Sequence, residues 1–404
     1  MSLTPIENGS VTSPRGFRAG AVHAGIRSDT PPDVLDVTIL IADGEGTTGA
    51  AVFTKNRVTA APVIVSREHI ERAAPRAVVV NSGNANAAVG PQGIADARAT
   101  AEMAANRLGL SADEVLVCST GVIGVPMPMS VMRGGIEAVE PRADGGHDFA
   151  QAIITTDTRI KECAVTVQIG GRTVTVAGAA KGSGMIHPDM ATMLAFLTTD
   201  AAVEQDCLRR VIGRAVDRSF NMISVDGDTS TNDTVIMIAN GAAGNPAVSG
   251  GEDEAAIEEA ITYVSLELAR AIVRDGEGAT TLIEINVSGA RSDDDARLAA
   301  RVISTSPLVK TAVFGNDPNW GRVMMALGRS GADVEESRVT LHFNDICVLR
   351  DGQAQPFPRE EAVERMKRPD VRFDVALGLG DGAATAWTCD FSYEYVRING
   401  EYTT

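Results

Sequence analysis

The stretch AAKGSGMIHPDMATMLAFLTTDA, residues 179–201, decides how this chain is read. Two glycines follow Lys181, then an irregular Pro-containing run, then Ala191 and Thr192 opening the apolar segment 193–197. A Thr that begins a buried strand after a glycine-rich loop has two readings. In the first it is a β-branched residue at a strand start, where such residues fit well. In the second it is a masked nucleophile. Cutting the Ala191–Thr192 bond would give Thr192 a free α-amine beside its own Oγ. Such an amine, with an ordinary pKa near ~8, can take the hydroxyl proton without any histidine. A small residue before the Thr eases its attack on the preceding carbonyl.

A second segment bears on the choice. Residues 114–124, EVLVCSTGVIG, read as a strand running directly into Ser-Thr-Gly. The Thr120 hydroxyl beside the Gly121 N–H can form an oxyanion hole, because glycine lets the backbone approach a developing negative charge. The alternative is an ordinary polar turn.

Composition narrows the function classes. The chain has 404 residues, with 36 Lys+Arg against 53 Asp+Glu, for a net charge of −17. That length suits two domains or one large one. Hydrophobic residues at 44% and charged residues at 22% describe a folded soluble protein rather than a disordered one. Aromatics are only 4%, so the core is expected from Ala, Val, Ile, Leu and Met. An acidic surface repels phosphate backbones and anionic bilayers, so neither a nucleic-acid nor a membrane partner is expected. No apolar run is long enough to span a bilayer. The five cysteines are scattered without a CxxC pair, which argues against disulfides and structural zinc and for a reducing cytoplasm. The first twenty residues lack the apolar core of a secretory signal.

Apolar, β-branched runs predict strands at 49–54, 62–66, 77–81, 114–118, 163–169, 173–177, 233–239, 281–287, 338–343, 371–377 and 386–391. Three-to-four spacing predicts helices at 94–108, 149–155, 202–218, 252–274, 293–303, 319–327 and 359–367. Strands and helices in mixed order point to a mixed α/β (α+β) layered fold of two α/β halves meeting near residues 180–200. No GxxxxGK[ST], HExxH or GxSxG is present. GEGTTG at 44–49 leads into a strand rather than a helix, so it reads as a tight turn. His23, His69, His147, His187 and His342 are far apart in sequence, and no metal site is expected.

Eight stretches occur in a characteristic order: NSGNANA (81–87), STGVIG (119–124), ITTDTRIK (154–161), KGSGMIHPDMATMLAF (181–196), SVDGDTSTND (224–233), RDGEGAT (274–280), SPLVKTAVFGNDPNWGR (306–322) and INGEYTT (398–404). Together they resemble the ornithine acetyltransferase / glutamate N-acetyltransferase family of arginine biosynthesis, whose members are self-cutting N-terminal-nucleophile enzymes. The resemblance implies an N-terminal-nucleophile fold cut into 1–191 and 192–404, with Thr192 as nucleophile and Thr120 and Gly121 as oxyanion hole. It further implies Thr155, Lys181, Thr192, Glu277, Asn399 and Thr404 as substrate contacts. Lys181 can meet a carboxylate and Glu277 a cationic amine. Asn399 and Thr404 require the C-terminal tail to pack into the site. The implied substrates are N2-acetyl-L-ornithine and L-glutamate, with no metal or cofactor beyond acetyl-CoA as an alternative donor. The implied assembly is a dimer of cleaved heterodimers.

Other assignments share the nucleophile: an aminopeptidase or amidase passing the acyl group to water, or a paralogue of secondary metabolism. A non-catalytic binding protein is the reading from another class. DGEG at 43–46 duplicates 275–278, and Glu45 is read as a decoy in a surface turn. Thr281 stands where the family usually has Lys, which leaves fine substrate preference open. NSGNANA and DPNWGR read either as turns supporting the site or as direct contacts.

Overall fold

A computed structural model describes residues 3–44, 46–187 and 193–401. Glu45, Ala191, Thr192 and Thr404 lie outside the described residues.

The segment Val37–Ala42 (VTILIA) is buried along its whole length, the mark of a strand covered on both faces. Its alternate side chains show what covers it. Leu40 and Ala42 meet a second sheet, whereas Val37, Ile39 and Ile41 meet helices. This strand belongs to a four-stranded sheet in the order Phe17–Val22, Val37–Ala42, Ala77–Asn84, Val115–Val122. Opposite it lies a six-stranded sheet: Thr4–Pro5, Lys161–Ile169, Arg172–Lys181, Leu194–Thr199, Thr234–Ala239, Thr48–Phe53. Phe17, Val78, Val80, Leu116, Phe149, Leu194, Phe196, Ile236 and Ile238 fill the space between them. Phe149 and Phe196 meet edge to face at 5.0 Å, a geometry worth about 1 kcal/mol beyond burial.

Helices close both outer faces. Ala61–Arg72, Pro91–Leu108 and Met129–Ala138 cover the four-stranded sheet, while Gln205–Arg218 and Gly251–Arg274 cover the six-stranded one. The result is a helix–sheet–sheet–helix sandwich. A seven-stranded mixed sheet, centred on Leu282–Ala290, Asp370–Ala376 and Gly382–Cys389, extends the core beyond the second helical layer. No described helix is long and apolar enough to cross a membrane.

The segments on either side of residues 188–192 do not fold apart. Leu194–Thr199 pairs antiparallel with Arg172–Lys181 and parallel with Thr234–Ala239, which in turn pairs with Thr48–Phe53. An all-buried strand has no polar edge to leave in water, so its neighbours come from wherever the chain supplies them.

One expected element changes type. Residues 62–66 lie in the helix Ala61–Arg72, not in a strand. The run is too short to show a period, and its β-branched residues suggested a strand. Pro62 in the first turn and the buried set Ala61, Val65 and His69 are helical features. Sequence reading also passed over the strands Phe17–Val22, Val37–Ala42 and Ile346–Arg350, and the helices Met129–Ala138, Pro307–Phe314 and Tyr393–Glu401.

Candidate active site

Period-two alternation carries two polar side chains into the end of the sandwich. On Val115–Val122, Leu116 and Cys118 face the inner core, and Thr120 continues that face. On Arg172–Lys181, Ala179 faces the inner core and Lys181 continues it. The two meet: Lys181 Nζ donates to Thr120 Oγ1 at 3.2 Å and to Thr155 Oγ1 at 2.9 Å. Gly121 lies beside Gly83 on the neighbouring parallel strand. Its φ is +133°, and a Cβ there would stand 2.3 Å from the Gly83 carbonyl carbon, so this position accepts only glycine.

Glu277 approaches from the far side. Its N–H donates to Ser183 O at 2.9 Å, and Asn399 Nδ2 donates to its Oε2 at 2.8 Å. A Cβ on Gly184 would come within 2.4 Å of the Glu277 carboxylate, so the glycine after Ser183 makes room for it. Ser392 Oγ donates to Gly278 O at 2.6 Å, seating the helix Tyr393–Glu401 on the DGEG turn. The helix is thereby docked, and its Asn399 lines the cavity.

Thr120, Gly121, Thr155, Lys181, Glu277 and Asn399 all line one pocket, with Ala85, Met193, Leu194, Asn232 and Asp233 among the other wall residues. Every described residue of the sequence-derived site is therefore brought together. Thr192, Ala191 and Thr404 fall outside the described residues. Burial pulls the Lys181 ammonium below the ordinary lysine range; Asp157, Glu277 and Asp233 oppose this, while Lys161 adds to it. Among the described residues, no group of three or more His, Cys, Asp or Glu is arranged to hold a metal ion.

The motifs left open divide cleanly. The asparagines of NSGNANA are buried supports: Asn81 Oδ1 accepts the Ser119 hydroxyl at 2.6 Å, and Asn81 Nδ2 donates to Asn84 O at 2.9 Å. In DPNWGR, Asn319 caps the helix Trp320–Gly328 and Asp317 accepts from Arg359. Asn81, Asn84, Asn86, Asp317 and Asn319 do not line the pocket, whereas Ala85 of NSGNANA does. Thr281 does not line it either; its N–H donates to Asp390 Oδ1 at 2.9 Å.

Sequence reasoning missed Asn232, whose Nδ2 donates to Ala85 O at 2.6 Å and Ser119 O at 2.9 Å, tying the later segment to both earlier motifs. It also missed the buried trio Asp157, Lys161 and Asp275. Their signal was a Lys four residues after an Asp inside ITTDTRIK, and an Asp two residues before Glu277.

Residues 18–404 match the ArgJ family. The chain belongs to the ArgJ family. The arginine biosynthesis bifunctional protein ArgJ of Dehalococcoides mccartyi is 47% identical over 404 residues, covering 100% of this chain and 99% of that relative. The protein of the same name from Geobacter sulfurreducens is 50% identical over 397 residues, covering 96% and 99%. Among solved structures, the arginine biosynthesis bifunctional protein of Bacillus halodurans is 42% identical with a TM-score of 0.51, covering 52% of this chain and 100% of that one. The ArgJ match includes every pocket residue from Ala85 to Asn399.

Proposed function

We propose that this chain, an acetyltransferase of arginine biosynthesis, moves an acetyl group from N2-acetyl-L-ornithine to L-glutamate through an ester on Thr192. The observation that carries the reading is convergence. A buried ammonium, two threonine hydroxyls, a glycine N–H and a carboxylate line one pocket, and so do Met193 and Leu194, which follow Thr192 in the chain.

In this mechanism Thr192 Oγ first attacks the Ala191 carbonyl, the peptide C–N bond breaks to leave an ester on Oγ and a free Thr192 α-amine, and water then hydrolyses that ester to release the Ala191 carboxylate and restore the hydroxyl. That amine then takes the Oγ proton as Oγ adds to the acetyl carbonyl. Thr120 and the Gly121 N–H hold the oxyanion, each donor contributing roughly 3 kcal/mol in such sites. Because Thr120 accepts from Lys181, its own proton is free to point at the oxyanion. The C–N bond breaks, and ornithine leaves with the proton held by the α-amine. The amine of glutamate attacks the ester, and Thr192 Oγ recovers its proton as N-acetylglutamate departs. Glu277, steadied by Asn399, pairs with the cationic side chain of ornithine, and Lys181 meets a carboxylate.

Two points support the reading. The first is that Met193 and Leu194, the described residues next after Thr192, both line the pocket. The curated relatives are named bifunctional, and acetyl-CoA as a second donor would acylate the same hydroxyl. The reading includes a cytoplasmic setting, a dimer of cleaved heterodimers and no metal.

Incubation with N2-acetyl-L-ornithine, with and without L-glutamate, tests it. Intact-mass measurement should find an acetyl group on the Thr192 polypeptide, discharged to N-acetylglutamate when glutamate is added. Deacetylation at an equal rate without glutamate would instead establish an amidase. Glu277→Gln keeps an acceptor for Asn399 but loses the charge. It is expected to raise KM for N2-acetyl-L-ornithine about tenfold or more with kcat little changed, since hydrogen bonds to charged groups are worth ~1.5–3 kcal/mol. A fall in kcat alone would remove Glu277 from the amine-binding role.

A further inference from the structure

Behind Thr155, Lys181 and Glu277 lies an ionic cluster that lines no part of the pocket. The side chains of Asp157, Lys161 and Asp275 are 0%, 0% and 2% exposed. Lys161 Nζ donates to Asp157 Oδ1 and to Asp275 Oδ2, both at 2.6 Å. Each carboxylate then reaches a different part of the site. Asp157 accepts the Gly182 N–H at 2.7 Å through Oδ1 and the Thr155 N–H at 3.1 Å through Oδ2. Asp275 accepts the Thr158 N–H at 3.0 Å and the Thr158 hydroxyl, and Arg159 lies 3.7 Å from it. Its backbone carbonyl accepts the Ser183 hydroxyl at 2.7 Å.

Burying ions costs several kcal/mol each, and a well-packed apolar cluster of equal volume is often as stable or more so. Cohesion alone therefore does not explain these charges. What ions add is directed bonds and a field. Asp157 bonds the backbone of Thr155 and of Gly182, the residue after Lys181, and so braces both sides of the Lys181–Thr155 hydrogen bond in the pocket.

We propose that Asp157 is a positioning residue of the acyl-transfer site: its two oxygens set Thr155 and the Lys181 strand end against each other, and its negative charge faces the Lys181 ammonium from behind. The inference rests on the acetyl-transfer reading, in that Lys181 works as a cation. The other charged groups facing Lys181 are Lys161, Glu277 and Asp233. Burial pulls the ammonium toward deprotonation, and Asp157 is the largest opposing influence. Asp157 itself is driven upward by its own burial, yet Lys181, Lys161 and the Gly182 N–H outweigh this and hold it below the usual carboxylate range.

Asp157→Asn is the direct test. An Asn carbonyl can still accept from Gly182, and Lys161 with Asp275 remains a neutral pair, so the variant strands no buried charge. Without the opposing charge Lys181 loses its proton at lower pH. The alkaline limb of the kcat/KM profile for N2-acetyl-L-ornithine is expected to move down by roughly one unit or more. Lys161→Gln removes a positive neighbour of Lys181, and the same limb is expected to move up. Asp275→Asn removes an equivalent bond to Lys161 without facing Lys181, and the limb should stay put. General damage to the fold cannot produce shifts of opposite sign.

A profile lowered evenly at all pH values in Asp157→Asn overturns the proposal. If that variant does not fold, the upward shift in Lys161→Gln supports the proposal and its absence overturns it. Failure of both variants to fold makes the cluster a fold determinant only, which also overturns it. A wild-type enzyme that transfers no acetyl group defeats the acetyl-transfer reading and this inference together, and is recognised before any variant is compared.

Discussion

Thr192→Ala is expected to accumulate as one uncut 404-residue chain with no acetyl transfer, beside a wild-type protein that runs as polypeptides of 191 and 213 residues. The two losses share one cause. In the proposed mechanism the hydroxyl that opens the Ala191 carbonyl is the hydroxyl that later takes the acetyl group, and the cut exposes the amine that serves as its base. Alanine supplies no oxygen for either step. The loss in kcat is expected to be on the order of 10⁵ or more, as for removal of a catalytic nucleophile elsewhere. Thr192→Ser retains an Oγ and should still be cut, with partial activity. Denaturing electrophoresis decides the first half of the prediction. Two bands from Thr192→Ala, or full activity from an intact wild-type chain, would remove Thr192 from both roles.

Thr120→Val should leave processing and substrate binding largely intact while lowering kcat about 100-fold or more, the loss measured for a missing oxyanion donor in comparable enzymes. Valine matches the shape of threonine but neither donates to an oxyanion nor accepts the 3.2 Å hydrogen bond from Lys181. Among the described residues the buried ammonium then keeps only the 2.9 Å bond to Thr155, so a modest loss of thermal stability is expected as well. Thr120→Ser restores both bonds and should recover most of the rate. A variant whose KM rises while kcat holds would show Thr120 binding the ground state rather than the oxyanion.

Much of the layered fold could be read locally, because runs such as 77–81 and 233–239 are apolar enough to be strands in any context. Where reading failed, pairing or packing decided. Phe17–Val22 (FRAGAV) holds Gly and two Ala, poor strand formers, and owes its place to six register partners on Val37–Ala42. Residues 62–66 became helix because that face had to cover Val65 and Ala61 against the four-stranded sheet. Nor could local pattern show that Leu194–Thr199 lies between Arg172–Lys181 and Thr234–Ala239. Pairing partners lie far from a strand in sequence.

The site divides along similar lines. Thr120 and Gly121 carry a recognisable chemical signature at a strand end, and Lys181 sits beside a glycine-rich loop. Glu277 and Asn399 needed the ordered motifs, since a Glu in a glycine turn occurs twice in this chain. The Lys161 bridge spans 4 residues to Asp157 and 114 to Asp275, and only the folded chain brings the second partner in.

The strand Leu194–Thr199 begins two residues after Thr192 and is held on both sides, by Arg172–Lys181 and by Thr234–Ala239. Before the cut, every contact in that sheet closes a loop within one molecule. After the proposed cut, the pairing with Arg172–Lys181, and that of Thr234–Ala239 with Thr48–Phe53, would join two molecules, while the pairing with Thr234–Ala239 would stay within one, and the covalent tether would be gone. The two products of the proposed cut would stay associated, because separation would strip the central sheet of the ladders that cross it. A cleaved enzyme that does unfold, however, must reassemble by collision, at a rate that rises with concentration, whereas the precursor folds independently of it. Under the proposed cleavage, maturation would work as a ratchet: the chain would fold once as a monomolecular event, and the working enzyme would persist by slow unfolding rather than by easy return.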